Sequence, residues 1–407
     1  MVPPRRRLVM LLGLLLSTTA TATDWPQWRG PNRDGSAPAF EAPRQWPNAL
    51  ARGWSTTVGV GHASPVVADG RLFVHARRGD QEVLAAFDAA TGRQLWNDAY
   101  PAPYRVNSAA AAHGPGPKST PVVSGGTLCS FGISGIISCY DAASGRRLWQ
   151  KQPVNGQPTF GTAMSPLVDN GAVIVHVGEH ESGGLTAFDV KSGSVKWAWT
   201  GGAPAYASPV VGTFGKVRQV VTQSRTHVVG VDAGSGRLLW QVPLTTDYDQ
   251  NAVTPLIVGD MVIYSGLAKG ITAVRPRQEG GSWRVEQAWH TDRAAMYMNS
   301  PVLFDSLLVA LSHRNRGQFV ALDPGTGAIA WETKGREAEN AALIAVGGAL
   351  LALTTNGELV VFAREGAGLK EIRRYTVAES AVWAHPALSG RRIFVKDVDA
   401  LTAWDVR

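Results

Sequence analysis

Nine side chains that could bind a ligand stand just before the copies of a repeated Ser/Thr-Pro dipeptide. They comprise an ammonium group, two imidazoles, three amides, two aromatic rings and a thioether, and they are His62, Lys118, Met164, Tyr206, Asn251, Asn299, Asn340, Trp383 and His385. Together they could hold an anionic or planar ligand, with Lys118 supplying the charge and Tyr206 or Trp383 a stacking surface. Whether they meet depends on the elements that carry them.

The Ser/Thr-Pro dipeptide is one of two phrases that occur eight times. One of its copies, Ala341-Ala342, is degraded. A second phrase, most complete at residues 86–96, follows each copy. The second phrase reads Asp-x-x-Thr/Ser-Gly and then Trp, which predicts a tight turn with glycine at positive φ and an aromatic ring between neighbouring units. Short apolar or β-branched runs separate the phrases. Four strands in each repeat of about 40–50 residues are typical of β-propeller blades.

The ends of the repeat array predict how the ring closes. The last copy, Trp404-Asp405, lacks an outer strand, whereas residues 52–57 form an orphan strand with Trp54 but no turn before it. Pairing the two would remove exposed strand edges. The fold class expected is therefore all-β: a single eight-bladed propeller of four-stranded antiparallel blades over residues 52–407, with an N-terminal extension at 23–51.

The first 22 residues have the pattern of a signal peptide. Three arginines at positions 5–7 precede an apolar run at 8–16, and Ala20-Thr21-Ala22 offers a small-x-small cleavage site. The run is too short to span a bilayer, and no later segment reaches transmembrane length. We expect a periplasmic or secreted protein. No cysteine follows the apolar run, so a bacterial lipoprotein anchor is not expected.

Charge and composition exclude some classes of function. The formal charge is +7, including the three arginines of the signal segment, and no run of Lys or Arg forms a nucleic-acid stripe. No Ser-His-Asp spacing or phosphate-binding glycine loop is present. Catalytic residues and a metal site are therefore not predicted.

Two cysteines, Cys129 and Cys139, flank an expected hairpin in the second blade. Pairing Phe131 with Ile137 would place them opposite each other, within reach of a disulfide. Export would permit oxidation. The alternative is a pair of free, buried thiols that act as small hydrophobic groups.

The repeated Ala-Phe-Asp-x-x-Thr/Ser-Gly-x-x-x-Trp phrase resembles that of the pyrroloquinoline-quinone (PQQ)-like β-propellers. The opening at residues 25–35 is also similar to that of secreted bacterial members. The resemblance covers the chain after the signal segment. It implies either a quinoprotein alcohol or sugar dehydrogenase, or a non-catalytic propeller such as the subunit of the outer-membrane barrel-assembly machinery.

The dehydrogenase alternative implies PQQ with Ca²⁺ in the central funnel. Several such enzymes carry adjacent cysteines against the quinone, whereas Cys129 and Cys139 are ten positions apart. Ca²⁺ requires six to eight oxygen ligands, and no Asp/Asn/Glu cluster stands apart from the turn aspartates. We therefore expect no cofactor, with PQQ and Ca²⁺ as the alternative.

Two further groups of residues are expected to be surface features. His176, Glu179, His180 and Glu181 are interpreted as a solvated hairpin tip rather than a metal site. Arg225 with His313, Arg314 and Arg316 could form a basic cluster that contacts acidic partners. The loop at 104–118 is a candidate cover over the funnel.

The expected function is that of an exported, non-catalytic propeller that binds periplasmic or outer-membrane proteins. The alternatives are a small PQQ-dependent oxidoreductase and a propeller that binds a small ligand without turnover. No nucleic-acid partner and no transmembrane segment after signal removal are expected.

Overall fold

The computed structural model describes residues 24–153 and 156–407, which form eight antiparallel sheets. The all-β, eight-bladed propeller expected from the repeats is confirmed. The predicted signal segment at 1–22 lies outside the described residues. Among those described, no helix is long and apolar enough to cross a membrane.

Each blade contains four strands that follow one another in the sheet. The strands of blades one to four are Val66–Ala68, Arg71–Arg78, Gln81–Asp88 and Gln94–Pro101; Val122–Ser124, Thr127–Phe131, Ile137–Asp141 and Arg147–Lys151; Leu167–Asp169, Ala172–Gly178, Gly183–Asp189 and Val195–Trp199; Val210–Phe214, Val217–Gln223, His227–Asp232 and Leu238–Pro243. The strands of blades five to eight are Leu256–Val258, Met261–Ser265, Ile271–Glu279 and Ser282–Thr291; Val302–Phe304, Leu307–Ser312, Gln318–Leu322 and Ile329–Glu332; Ala341–Val346, Ala349–Thr354, Glu358–Glu365 and Gly368–Thr376; Ala387–Ser389, Arg392–Lys396, Ala400–Asp405 and Ala51–Thr57.

Four short elements complement the blades. The strand Ser36–Ala37 adds in parallel to the inner strand of blade seven. Three 3₁₀ turns, Ser108–His113, Asp247–Asp249 and Arg314–Arg316, lie in the loops.

The strand Ala51–Thr57 closes the ring as predicted. It pairs antiparallel with Ala400–Asp405, and the hydroxyls of Ser55 and Thr402 lie 2.9 Å apart. Blade eight thus combines a strand from the start of the propeller with three from its end, and no blade is left incomplete.

Hydroxyl groups link the blades around the axis. The Oγ of Ser64 accepts a hydrogen bond of 2.8 Å from the His385 N–H, which joins blade eight to blade one. Similar bonds run from Ser64 N–H to Thr120 Oγ1, from Thr120 N–H to Ser165 Oγ, from Ser165 N–H to Ser208 Oγ and from Thr254 N–H to Ser300 Oγ. The Ser/Thr of the repeated dipeptide therefore satisfies a backbone donor of an adjacent blade, which explains why a hydroxyl recurs there.

The Asp-x-x-Thr/Ser-Gly turns have the predicted local chemistry. In the first turn, Asp88 Oδ1 accepts hydrogen bonds from the Ala90 N–H, the Thr91 N–H and the Thr91 hydroxyl. Gly92 adopts a φ of +74° and donates its N–H to the Asp88 carbonyl. The carboxylate thus satisfies the turn amides and glycine supplies the left-handed conformation.

The tryptophan of each regular outer strand packs on the turn glycine of the next blade. The Trp54 indole N–H donates to the Ala89 carbonyl at 3.3 Å, and its ring covers Gly92 so closely that a β-carbon there would lie 2.6 Å from the ring. The same arrangement recurs for the pairs Trp96–Gly145, Trp149–Gly193, Trp197–Gly236 and Trp289–Gly327. The predicted role of tryptophan between blades is confirmed at these junctions.

Blade five interrupts this pattern. It has Val274-Arg275 where most other blades have the turn aspartate, which blade seven also lacks at Phe362-Ala363, and its outer hairpin is longer. Trp240 of blade four therefore has no turn to cover. Its indole N–H donates at 2.6 Å to Gln219 of its own blade, and its ring lies over Gly230.

The segment 25–35 fills the axial channel. The sequence alone did not decide between this position and one along the side of the propeller. The segment contacts all eight blades. In blade order the contacts are Trp25 with Val67, Pro26 O with Val123 N–H, Arg33 with Pro166 O, Arg33 with Pro209 O, Trp28 Nε1–H with Thr254 Oγ1, Arg29 with Pro301 O, Gly35 O with Ala345 N–H, and the Trp28 ring with that of His385. The segment is a plug, and the residues between it and Ala51 contact blades seven and eight.

The cysteines are joined in a disulfide. Cys129 and Cys139 pair across adjacent strands of blade two with their Cα atoms 4.1 Å apart, and both are fully buried. Of the two alternatives left open by the sequence, the structure contains the cross-link.

We predict that Gly92→Ala lowers the free energy of unfolding by about 1–3 kcal/mol more than Gly70→Ala, the usual range for overpacking. The two glycines have nearly equal φ values, +74° and +71°, but nothing lies within 4 Å of a β-carbon at Gly70. Both variants therefore share the cost of the left-handed conformation, and only one displaces Trp54. Equilibrium denaturant unfolding would measure the difference, and equal losses would show that the ring contact does not constrain the junction.

Candidate functional site

A funnel of about 300 Å³ opens on the face that carries the loops entering each inner strand. Five of the nine predicted residues line it: His62, Lys118, Tyr206, Asn340 and Trp383. Trp28 of the plug also lines it and forms its floor, since this ring caps the axial segment. The structure thus brings together the predicted charged group, Lys118, and the two predicted stacking surfaces, Tyr206 and Trp383.

The other four predicted residues lie outside the funnel wall. Met164 is buried with the core residues between blades two and three. Asn251 donates to the Ser224 and Leu244 carbonyls, and Asn299 exchanges hydrogen bonds with the backbone of Leu311. His385 is buried against Trp28, with the two rings 4.2 Å apart.

A fixed register explains which loop residues face the axis. In every blade the residue two positions before the Ser/Thr of the dipeptide, or its equivalent, lines the funnel, and these are His62, Lys118, Ala163, Tyr206, Ala252, Met298, Glu339 and Trp383. In most blades the next residue points into the protein, as Met164 and Asn299 do, because extended backbone alternates its sides. Asn340 of blade seven is an exception, since it also lines the funnel. The nine predicted residues follow this register in only four blades, so Ala163, Ala252, Met298 and Glu339 were not predicted.

Loop residues complete the wall. Phe160, Gln250 and Tyr297 come from connections between blades. The expected cover also contributes, since Ala109, Ala110 and His113 of the 3₁₀ turn Ser108–His113 line the funnel. The loop at 104–118 therefore lies over part of the mouth.

Lys118 is the one cation among the funnel-lining residues. Its Nζ donates at 2.9 Å to the Phe160 carbonyl, and no carboxylate of the described residues lies within ion-pair distance. Burial lowers the pKa of Lys118 to about 8. Glu339, the only carboxylate in the lining, is exposed. The inner part of the funnel therefore favours an anion.

Two imidazoles and an indole form one wall. The His113 ring lies 4.6 Å from that of Trp383 and 5.7 Å from that of His62. Burial, and then the neighbouring His113, lowers the pKa of His62 to about 3, so this ring is neutral. Its Nε2 is buried and has no hydrogen-bond partner, which leaves a polar atom for a ligand or a water.

The residues do not fit the calcium–quinone site that the resemblance implies as an alternative. The funnel wall offers one carboxylate, whereas Ca²⁺ takes six to eight oxygen ligands. Across residues 24–153 and 156–407, no group of three or more His, Cys, Asp or Glu side chains could hold a metal ion. The disulfide is in the core of blade two and not in the funnel wall.

The funnel rim differs from the expected basic cluster. Arg225 Nη1 lies 3.0 Å from Glu181 and 3.1 Å from Asp249, so carboxylates from two other loops neutralise it. His313 stacks edge-on against Tyr297 instead of joining Arg225. His176 is not part of a solvated tip, because it is buried and its Nε2 lies 2.8 Å from the Gly202 carbonyl. Burial lowers its pKa to about 4.

Comparison with known proteins gives the family. The family model described as "Outer membrane protein assembly factor BamB" matches residues 51–116 and 104–333. Outer membrane protein assembly factor BamB of Yersinia pestis is 26% identical over 254 residues, which is 57% of this chain. The alignment spans only 60% of the length of that relative.

Solved structures share the fold at low identity. BamB from Moraxella catarrhalis superposes with a TM-score of 0.62 and 15% identity, over 88% of this chain and 98% of that one. Quinohemoprotein alcohol dehydrogenase from Comamonas testosteroni superposes with a TM-score of 0.68 and 15% identity, over 94% of this chain and 80% of that one. The structural likeness therefore extends to both groups of PQQ-like propellers, and the sequence match selects between them. This chain belongs to the family of the outer membrane protein assembly factor BamB.

Proposed function

We propose that this chain is a non-catalytic propeller of the periplasm and that it docks onto a protein that takes part in outer-membrane protein assembly. Family membership supports the class of process. The proposed export depends on the signal-like residues 1–22. The observation that carries the docking role is an exposed tyrosine, Tyr248, on a loop whose backbone is held at positive φ beside the funnel.

Tyr248 has an unusual combination of exposure and constraint. It is 78% exposed, and both it and Asp249 have positive φ, +59° and +56°. Positive φ is uncommon for residues other than glycine and costs free energy. The ion pair between Asp249 and Arg225 stabilises this conformation of the loop. A loop that holds a large aromatic ring outward against local strain is a candidate for partner binding.

The surroundings of Tyr248 indicate the chemistry of the partner. Tyrosine is enriched among the residues that dominate protein interfaces. Asp247 and Glu181 are exposed near it, and Arg225 is already paired. A partner surface with an apolar pocket and basic groups at its rim would complement this loop.

We predict that a photoreactive amino acid at position 248 cross-links the chain in cells to a protein of outer-membrane assembly. Val195 is the matched control, since it is 58% exposed but follows the turn on the opposite face of blade three. Tyr248→Ala should weaken binding of the cross-linked partner about 30-fold, as for an interface hot spot, and leave thermal unfolding unchanged. No cross-link at 248, or an equal yield at 195, would contradict the docking role.

A second candidate function is the binding of an anionic, planar small molecule in the funnel without turnover. It is favoured by the Lys118 ammonium, which has one backbone acceptor, next to Trp383 and Tyr206. An anion paired with Lys118 would gain a charge-assisted hydrogen bond, and the aromatic walls would cover a planar ring. The single carboxylate of the wall implies that binding would not depend on Ca²⁺.

We predict that PQQ, used as a planar tricarboxylate probe, binds in calorimetric titration, and that Lys118→Met weakens it at least tenfold. Because the pKa of Lys118 is about 8, the ammonium is present below that pH, and affinity should fall as pH rises through 8. Lys269→Met is the control, since Lys269 is exposed outside the funnel wall. Binding that requires Ca²⁺, or that survives in Lys118→Met, would refute this site.

A further inference from the structure

Two arginines of the axial plug are buried without a counter-ion. Arg29 is 0% exposed and Arg33 is 3% exposed. Neither forms an ion pair with any of the described residues. Taking a guanidinium out of water is costly unless it is paired and its N–H groups are hydrogen-bonded.

The two guanidinium groups differ in how well they are satisfied. Every nitrogen of the Arg33 guanidinium donates: Nε to the Pro209 carbonyl, Nη1 to the Pro166 carbonyl and Nη2 to the Ser165 carbonyl, at 2.9–3.1 Å. Arg29 donates only through Nη2, to the carbonyls of Asp34 and Pro301. Its Nε and Nη1 are buried and have no partner.

Asp34 compensates the charge of Arg29 only in part, through a longer-range attraction. The Asp34 carboxylate accepts from the N–H and hydroxyl of Ser36, at 2.8 and 2.7 Å, and forms no ion pair with Arg29. A further buried nitrogen, His385 Nδ1, also has no hydrogen-bond partner. The ring of this histidine packs against Trp28 of the plug. The channel therefore contains a positive charge that no ion pair neutralises and several N–H groups without a hydrogen-bond partner.

We propose that a small inorganic anion of halide size binds in the axial channel against the unpartnered nitrogens of Arg29. It would neutralise the buried guanidinium and accept the hydrogen bonds that the protein leaves unmade. This site is separate from the funnel, because the Trp28 ring forms the funnel floor and Arg29 is not among the funnel-lining residues. The anion would hold the plug in place, since Arg29 joins it to blade six.

The first test is thermal unfolding of the purified protein in sodium chloride and in sodium gluconate at equal ionic strength. Gluconate is too large for a closed channel. The midpoint should be higher in chloride and should rise by roughly 2 °C for each tenfold increase in chloride above the dissociation constant. Arg29→Met, which keeps an unbranched apolar side chain but removes the guanidinium, should abolish the dependence. Arg93→Met, at an exposed arginine, should retain it.

The second test keeps the proposal falsifiable if Arg29→Met does not fold. Crystals of the unmodified protein grown in sodium bromide should show an anomalous peak within about 3.5 Å of Arg29 Nη1 or Nε. A water without anomalous signal at that place, or equal unfolding midpoints in the two salts, would overturn the proposal. Neither result would bear on the docking role of Tyr248.

Discussion

The contact between an outer-strand tryptophan and the turn glycine of the next blade is the constraint on which the ring depends. The ring of Trp54 leaves no room for a β-carbon at Gly92, and four other junctions repeat this contact. Because the indole also donates to the carbonyl next to the turn aspartate, one side chain fixes both the distance and the height of the neighbouring blade. Where the turn is lost, at blade five, Trp240 instead bonds within its own blade.

Local chemistry explains why so much of the fold could be predicted. The turn at Asp88 is satisfied by atoms within four residues, and the alternation of strands follows from sequence periodicity. The pairing of Ala51–Thr57 with the last blade could be predicted because a surplus strand and a missing strand occur in the same chain. The register of the hairpin placed Cys129 opposite Cys139, which left two alternatives: a disulfide or a pair of free, buried thiols.

The site was predicted less completely. The sequence located the loops of the funnel but did not show which of their side chains face the axis. Asn299 and Met298 are neighbours in one loop, yet only Met298 faces the axis. Polarity suggested the asparagine, whereas the register selects the methionine. The plug had no periodic signal, since six of its eight contacts are made to backbone N–H or carbonyl groups that every sequence provides. Long-range pairing of Arg225 with Glu181 and Asp249 was likewise invisible from sequence spacing.

The closing strand has a consequence for how the protein is made. Its partner lies 347 residues away at the Ser55–Thr402 contact, so loop closure of nearly the whole chain must precede the final pairing. An open solenoid gains stability as each repeat docks. Here seven blades can stack while both ends still present unpaired edges, which favour aggregation or strand exchange between chains. Completion of the circle is therefore a late, high-contact-order step, and a holding factor that covers the free edge during synthesis or transport would benefit this fold more than one built from local contacts.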